Sequence, residues 1–117
     1  MGGNSLLNQL KETGVVGVMR AESANNLLQA AQAIREGGVN FIEVAMTTPN
    51  ALSVIQDVSE ELDDVLIGAG TVLDSETARA AILAGAEYLV SPTVDVGMIE
   101  MAKRYGKIAA PGAFTPS

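Results

Sequence analysis

Cysteine, histidine and tryptophan are all absent from this chain of 117 residues. Without cysteine there is no disulfide, thiolate metal site or thiol nucleophile, and without histidine no imidazole base or histidine-ligated zinc. Acid–base and covalent chemistry are left to carboxylates, lysines, tyrosines, hydroxyls and backbone amides. Positive charge is also scarce: 7 Lys and Arg stand against 14 Asp and Glu, a formal charge of −7. Such a chain repels phosphate backbones and anionic lipid, so neither nucleic acid nor a membrane is an expected partner. Met1 to Gly14 lacks the basic start and unbroken apolar core of a signal peptide, and no apolar run approaches the roughly 18 residues of a membrane helix. Cytoplasmic residence is the expectation.

What is present is apolar. Hydrophobic residues make up 48% of the chain and charged ones 18%, a balance that supports a packed core in one domain spanning 1–117. The apolar residues fall into short runs separated by helical patterns. Val15 to Met19 reads as a strand buried on both faces. Ser23 then reads as an N-cap for a helix from Ala24 to Arg35, stopped by Gly37-Gly38. The alternation continues with strands at Asn40–Met46, Val65–Val72, Tyr88–Ser91 and Lys107–Ala110, and helices at Pro49–Leu62, Ser75–Ala84 and Asp95–Tyr105. Strand onsets at Val15, Phe41, Val65, Tyr88 and Ile108 lie 26, 24, 23 and 20 residues apart, the length of one strand, one helix and two short loops. The class is therefore α/β with a parallel sheet and right-handed crossovers.

Periodicity alone does not separate an open doubly wound sheet from a (β/α)8 TIM-type barrel. The turn after the first strand is Arg20-Ala21-Glu22-Ser23 with no G-x-G-x-x-G, which argues for the barrel. A barrel needs eight units, on the order of 200 residues, and this chain carries about four βα units and a fifth strand. Pro111 to Ser117 has the character of a strand-to-helix loop, so the chain reads as the N-terminal half of a longer barrel.

In parallel α/β folds the working face lies at the C-terminal ends of the strands. Those ends carry Arg20; Glu43 with Thr47 and Thr48; Thr71 after Gly68-Ala69-Gly70; Ser91, Pro92 and Thr93; and Thr115. One cation, one carboxylate and several hydroxyls suit a small oxo-acid. Glu43 interrupts an apolar strand, where a carboxylate must be paired or have its pKa raised, the latter being what a proton-shuttling base needs. An ion pair with Arg20 on the adjacent strand is the structural alternative. Arg20 itself could grip a carboxylate bidentately or cap the surface. The glycines of Gly68-Ala69-Gly70 fit a phosphate loop or simply let another backbone approach. Glu60-Glu61-Leu62-Asp63-Asp64 lacks the spacing of a calcium loop and reads as a solvated face. Met98, Ile99 and Met101 read as core.

Phe41-Ile42-Glu43-Val44, Gly68-Ala69-Gly70-Thr71-Val72, Ser91-Pro92 and Pro111-Gly112-Ala113-Phe114-Thr115-Pro116, in that order, resemble the 2-keto-3-deoxy-6-phosphogluconate (KDPG) and 4-hydroxy-2-oxoglutarate (KHG) aldolases. The resemblance covers the chain from Val15 onward. It implies a class I, metal-independent aldolase without a cofactor, a trimer of (β/α)8 barrels that splits the phosphorylated sugar acid into pyruvate and glyceraldehyde 3-phosphate. By that resemblance Glu43 is the proton shuttle, Thr71 binds the pyruvate carboxylate and Pro92 lines its pocket. Thr47 stands where many members carry an arginine for the carboxylate, and Arg20 is a candidate substitute.

The resemblance also places the Schiff-base lysine on a sixth strand and the phosphate site after the seventh and eighth, beyond this chain. Of the lysines present, Lys11 falls in an N-terminal helix, Lys103 on an outer helix and Lys107 at a strand start, roughly 15 Å from the working rim. None suits a desolvated nucleophile. The 117 residues alone are expected to be inactive. Two other readings remain: a non-catalytic half-barrel that self-associates or binds an oxo-acid, and a phosphorylated-galactonate aldolase of the same chemistry.

Overall fold

A computed structural model of the protein describes residues 16–19 and 27–111. It contains β1 (Val16–Met19), α1 (Leu27–Glu36), β2 (Phe41–Ala45), α2 (Ala51–Glu61), β3 (Leu66–Gly70), α3 (Ser75–Ala84), β4 (Tyr88–Ser91), α4 (Val96–Arg104) and β5 (Ile108–Pro111). Local chemistry explains several of the boundaries. Asp74 accepts from the Thr77 amide at 2.6 Å and Asp95 from the Met98 amide at 2.8 Å, which caps α3 and α4. Lys103 and Arg104 lie in the last turn of α4, where cations oppose the partial negative charge of the helix end. Gly38 (φ 96°) and Gly85 (φ 123°) take left-handed backbone after α1 and α3, ending both helices as glycine can without a Cβ clash.

All strands are parallel and their order across the sheet is β1-β2-β3-β4-β5. This order decides between the two architectures. A doubly wound sheet reverses direction at a switch point and splits its helices between two faces. With right-handed crossovers and no reversal, every helix falls on one face, and α1 to α4 pack side by side in sequence. The architecture is of the (β/α)8-barrel type, and β1 and β5 are the edges of the described sheet.

Alternation along each strand divides the sheet into two faces. Ile42, Val44, Ile67, Ala69 and Leu89 point outward and form one buried cluster with helix residues such as Ala31, Ile55, Val58, Ala81 and Met98. Phe41, Ala45 and Tyr88 are also buried but stand outside that cluster, on the concave inner face. Met98 belongs to the core, with Ile99 and Met101 packed against it, and Glu60, Glu61, Asp63 and Asp64 are exposed, both as expected.

Three expectations need correction. The first strand is not buried on both faces: Val18 is 58% exposed, because it lies on an edge strand and faces the concave side, away from the helices. The third strand ends at Gly70 rather than Val72, because Thr71 turns to φ 58°. The second helix starts at Ala51 rather than Pro49, after Asn50 at φ 57°. The expected cap Ser23, the helix start at Ala24 and the strand residue Val15 lie outside the described residues.

Candidate active site

The parallel register lines up Val18, Glu43, Gly68, Tyr88 and Ile108 as one row across five strands. Paired residues in a parallel ladder share a face, so this row lies on the inner side with Tyr88. Gly68 separates Glu43 from Tyr88, whose backbones are therefore roughly 10 Å apart across two strand spacings. After Leu66, glycine at the next two inner positions of β3, Gly68 and Gly70, gives these side chains room. A Cβ on Gly68 would clash with ring atoms of Tyr88, and one on Gly70 would clash with the Glu43 carboxyl group, 2.8 Å from its carboxyl carbon. Tyr88 leans over Gly68, and Glu43 leans over Gly70 toward the strand exits.

Tyr88 is 4% exposed, its ring lies 6.1 Å from that of Phe41, and its hydroxyl has no hydrogen-bond partner among the described residues. Burial, and then the charge of Glu43, push the phenol far above its ordinary value of 10.0. Above pH 10 the unfolded chain releases this proton while the folded chain keeps it. Stability is therefore fully present below the unfolded value and falls as pH rises past it, by up to about 1.4 kcal/mol per pH unit. Tyr88→Phe should remove that part of the alkaline loss and leave neutral-pH stability equal or higher, since no hydrogen bond to a described residue is given up. Urea midpoints of wild type and variant at neutral pH and above pH 10 check both statements.

Thr71 follows Gly70 at the rim with φ 58°, a left-handed conformation that strains a β-branched residue by on the order of 1–3 kcal/mol. Its surroundings hold it there: the Gly70 carbonyl accepts from the Met46 amide at 2.8 Å, and the Val72 amide donates to the Val90 carbonyl at 3.0 Å. Ser91 is buried and turned inward on its own loop. Its hydroxyl donates to the Thr93 carbonyl at 2.6 Å and accepts from the Thr93 amide at 3.3 Å, leaving Pro92 and Thr93 exposed after β4. Thr47 is exposed on the turn after β2, and Thr48 beside it is buried. Arg20 and Thr115 lie outside the described residues, and so does the expected ion pair between Arg20 and Glu43.

Lys107 enters β5 at the end opposite the rim, where its Nζ lies 2.9 Å from Glu87 Oε2, and Lys103 is exposed on α4. Lys11 lies outside the described residues. The structure thus brings Glu43, Gly68, Gly70 and Tyr88 together on one face, with Thr71 at the adjoining rim. Sequence reasoning missed Tyr88. Its signal was available only through register, as an aromatic residue level with a glycine on the neighbouring strand.

An unreversed parallel sheet with polar residues at its strand exits is the architecture of the (β/α)8 barrels. Within that class the chain belongs to the KDPG and KHG aldolase family, whose family model matches residues 6–117. It is 32% identical over 108 residues to the 2-dehydro-3-deoxy-phosphogluconate aldolase of Treponema pallidum, covering 92% of this chain and 51% of that protein. It superposes with a TM-score of 0.86 and 28% identity on the 2-keto-3-deoxy-6-phosphogluconate aldolase of Zymomonas mobilis solved with 3-phosphoglycerate, covering 97% of this chain and 54% of that one. The Legionella pneumophila KDPG aldolase, captured with pyruvate as a covalent carbinolamine, aligns at a TM-score of 0.80 and 26% identity, covering 88% of this chain and 50% of that one. The chain spans about half the length of the curated relatives it matches.

Proposed function

We propose that this chain supplies the proton-shuttling half of a class I aldolase site that cleaves 2-keto-3-deoxy-6-phosphogluconate, and also 4-hydroxy-2-oxoglutarate. The observation that carries the reading is the Glu43 carboxylate on the inner face, leaning over Gly70 toward the rim, in a chain of this family. An amine from outside this chain condenses with the C2 ketone, releasing water, and the resulting iminium accepts the electron pair of the C3–C4 bond as an enamine across C2 and C3. Glu43 takes the proton of the C4 hydroxyl, the C3–C4 bond breaks, and the C4–C6 portion leaves as glyceraldehyde 3-phosphate. Glu43 then returns a proton to C3, and hydrolysis releases pyruvate and regenerates the amine. Thr71, with Pro92 and Thr47 on the same rim, borders the pyruvate moiety, and Arg20 is the candidate cation for its carboxylate. The family resemblance suggests a trimer for the complete barrel.

The reading is tested by borohydride reduction in the presence of pyruvate, followed by mass spectrometry. The 117-residue chain alone should give no adduct, since Lys107 is paired at the wrong end of the sheet and Lys103 faces solvent. A fusion of this chain to the C-terminal half of the Treponema pallidum aldolase should trap pyruvate on that half and release pyruvate from the sugar acid. An adduct on the isolated chain would move the nucleophile into these residues and overturn the division of labour. A folded fusion that traps pyruvate but neither cleaves substrate nor exchanges pyruvate methyl protons would remove Glu43 as the shuttle.

A further inference from the structure

Glu43 does not stand over its own register partner on β3. That partner is Gly68, yet the Glu43 carboxyl lies over Gly70, which pairs with Ala45 one inner position nearer the rim. A Cβ on Gly70 would lie 2.8 Å from Glu43 Cδ and 3.1 Å from Cγ, so the outer half of the side chain rests there. One inner position is two residues, a displacement of roughly 6.6 Å along the strand. Glutamate has several staggered rotamers, and Gly68 has no side chain of its own to keep the carboxyl from settling beside it.

Tyr88 closes that space from the next strand. It pairs with Gly68 from the far side, and its Cδ2, Cε2 and Cζ are the atoms nearest to the position of a Gly68 Cβ. Cζ is the ring carbon farthest from the Tyr88 backbone, so the ring spans a full strand spacing, roughly 4.8 Å, from β4 to β3. Phe41 packs against it from β2, one inner position farther from the rim than Glu43, with ring centroids 6.1 Å apart. On the other flank, Val18 of β1 is level with Glu43. Val18, Phe41 and the Tyr88 ring thus bound Glu43 on three sides, and the bare Gly70 leaves the fourth open toward the rim. The Tyr88 hydroxyl has no hydrogen-bond partner among the described residues, so the residue acts through the volume of its ring.

We infer that Tyr88 is a positioning residue for the proton shuttle: its ring fills the inner space over Gly68 and so confines the Glu43 carboxyl to the position over Gly70, beside the rim. The inference rests on the aldolase reading of Glu43. A displacement of about 1 Å can cost on the order of 10²-fold in rate, and a carboxyl that drops back over Gly68 moves several times farther than that.

The test uses the barrel completed with the C-terminal half of the Treponema pallidum aldolase. Deuterium exchange of the pyruvate methyl protons is measured per borohydride-trapped adduct, so that only folded, competent sites are counted. Tyr88→Leu removes the ring and should lower exchange per adduct about ten-fold or more, while the pyruvate concentration that half-saturates trapping stays unchanged. Tyr88→Phe keeps the ring and should restore exchange to within about two-fold of wild type. Should Tyr88→Leu give no adduct, Tyr88→Met, which conserves more of the buried volume, is read by the same criterion. Exchange per adduct within two-fold of wild type in the ring-less variant overturns the inference, and so does a Tyr88→Phe variant as slow as Tyr88→Leu. Glu43→Gln separates the two levels of the argument: if it leaves exchange intact, the aldolase reading of Glu43 falls, and if it alone slows exchange, only the role of Tyr88 falls.

Discussion

Glu43→Gln in the completed barrel should lower aldol cleavage by about 10²–10⁴-fold, the usual contribution of a positioned general acid–base group. The amide is nearly isosteric, so it fits over Gly70, where a Cβ would already meet the carboxyl group. Formation of the borohydride-trapped pyruvate adduct should persist, because that step does not use Glu43 as the shuttle. Exchange of the pyruvate methyl protons with deuterium, followed by NMR, should slow in parallel with cleavage. This pairing separates the chemical role from a structural one. Were Glu43 only a partner in a charged contact, its replacement would shift the unfolding midpoint while adduct formation and exchange fell together or not at all.

Gly68→Ala should destabilise the chain by about 1–3 kcal/mol, the range for adding a methyl to a packed interior. The new Cβ clashes with ring atoms of Tyr88, and that ring has little freedom to retreat. Register holds its backbone beside Gly68 and Ile108, its side chain is almost wholly buried, and Phe41 packs beside it. The urea midpoint should fall at nearly constant slope. A double-mutant cycle with Tyr88→Leu distinguishes this clash from a general intolerance of β3: the two changes should couple strongly, since the smaller side chain vacates the space. Additive effects would place the strain elsewhere.

Glu43 and Tyr88 show where sequence reasoning succeeded and where it could not reach. Glu43 was legible because a charge inside Phe41-Ile42-Glu43-Val44-Ala45 contradicts its surroundings, and the contradiction is local. Tyr88 was not, because tyrosine in a strand is ordinary until register sets it level with Gly68 and Glu43. Helix α3 and strand β4 match their sequence expectations residue for residue, since Asp74, Gly85 and the apolar run of β4 mark their ends within a few positions. Strand β3 ends two residues early, because the left-handed backbone of Thr71 is held by hydrogen bonds on either side of it. Threonine itself disfavours that conformation, so no residue-by-residue preference announces it.

Read along the chain, the amino acids already settle the α/β class, the rhythm of strand and helix, the polar character of the strand ends and the exceptional position of Glu43. These follow from periodicity, capping and burial preference, which act over a few residues. That the strands run in unbroken order with their helices on one face emerges only in three dimensions. So does the sharing of the space over Gly68 and Gly70 by Tyr88 and Glu43. Those are relations fixed by register, crossover and packing, and the same local patterns are compatible with more than one such arrangement.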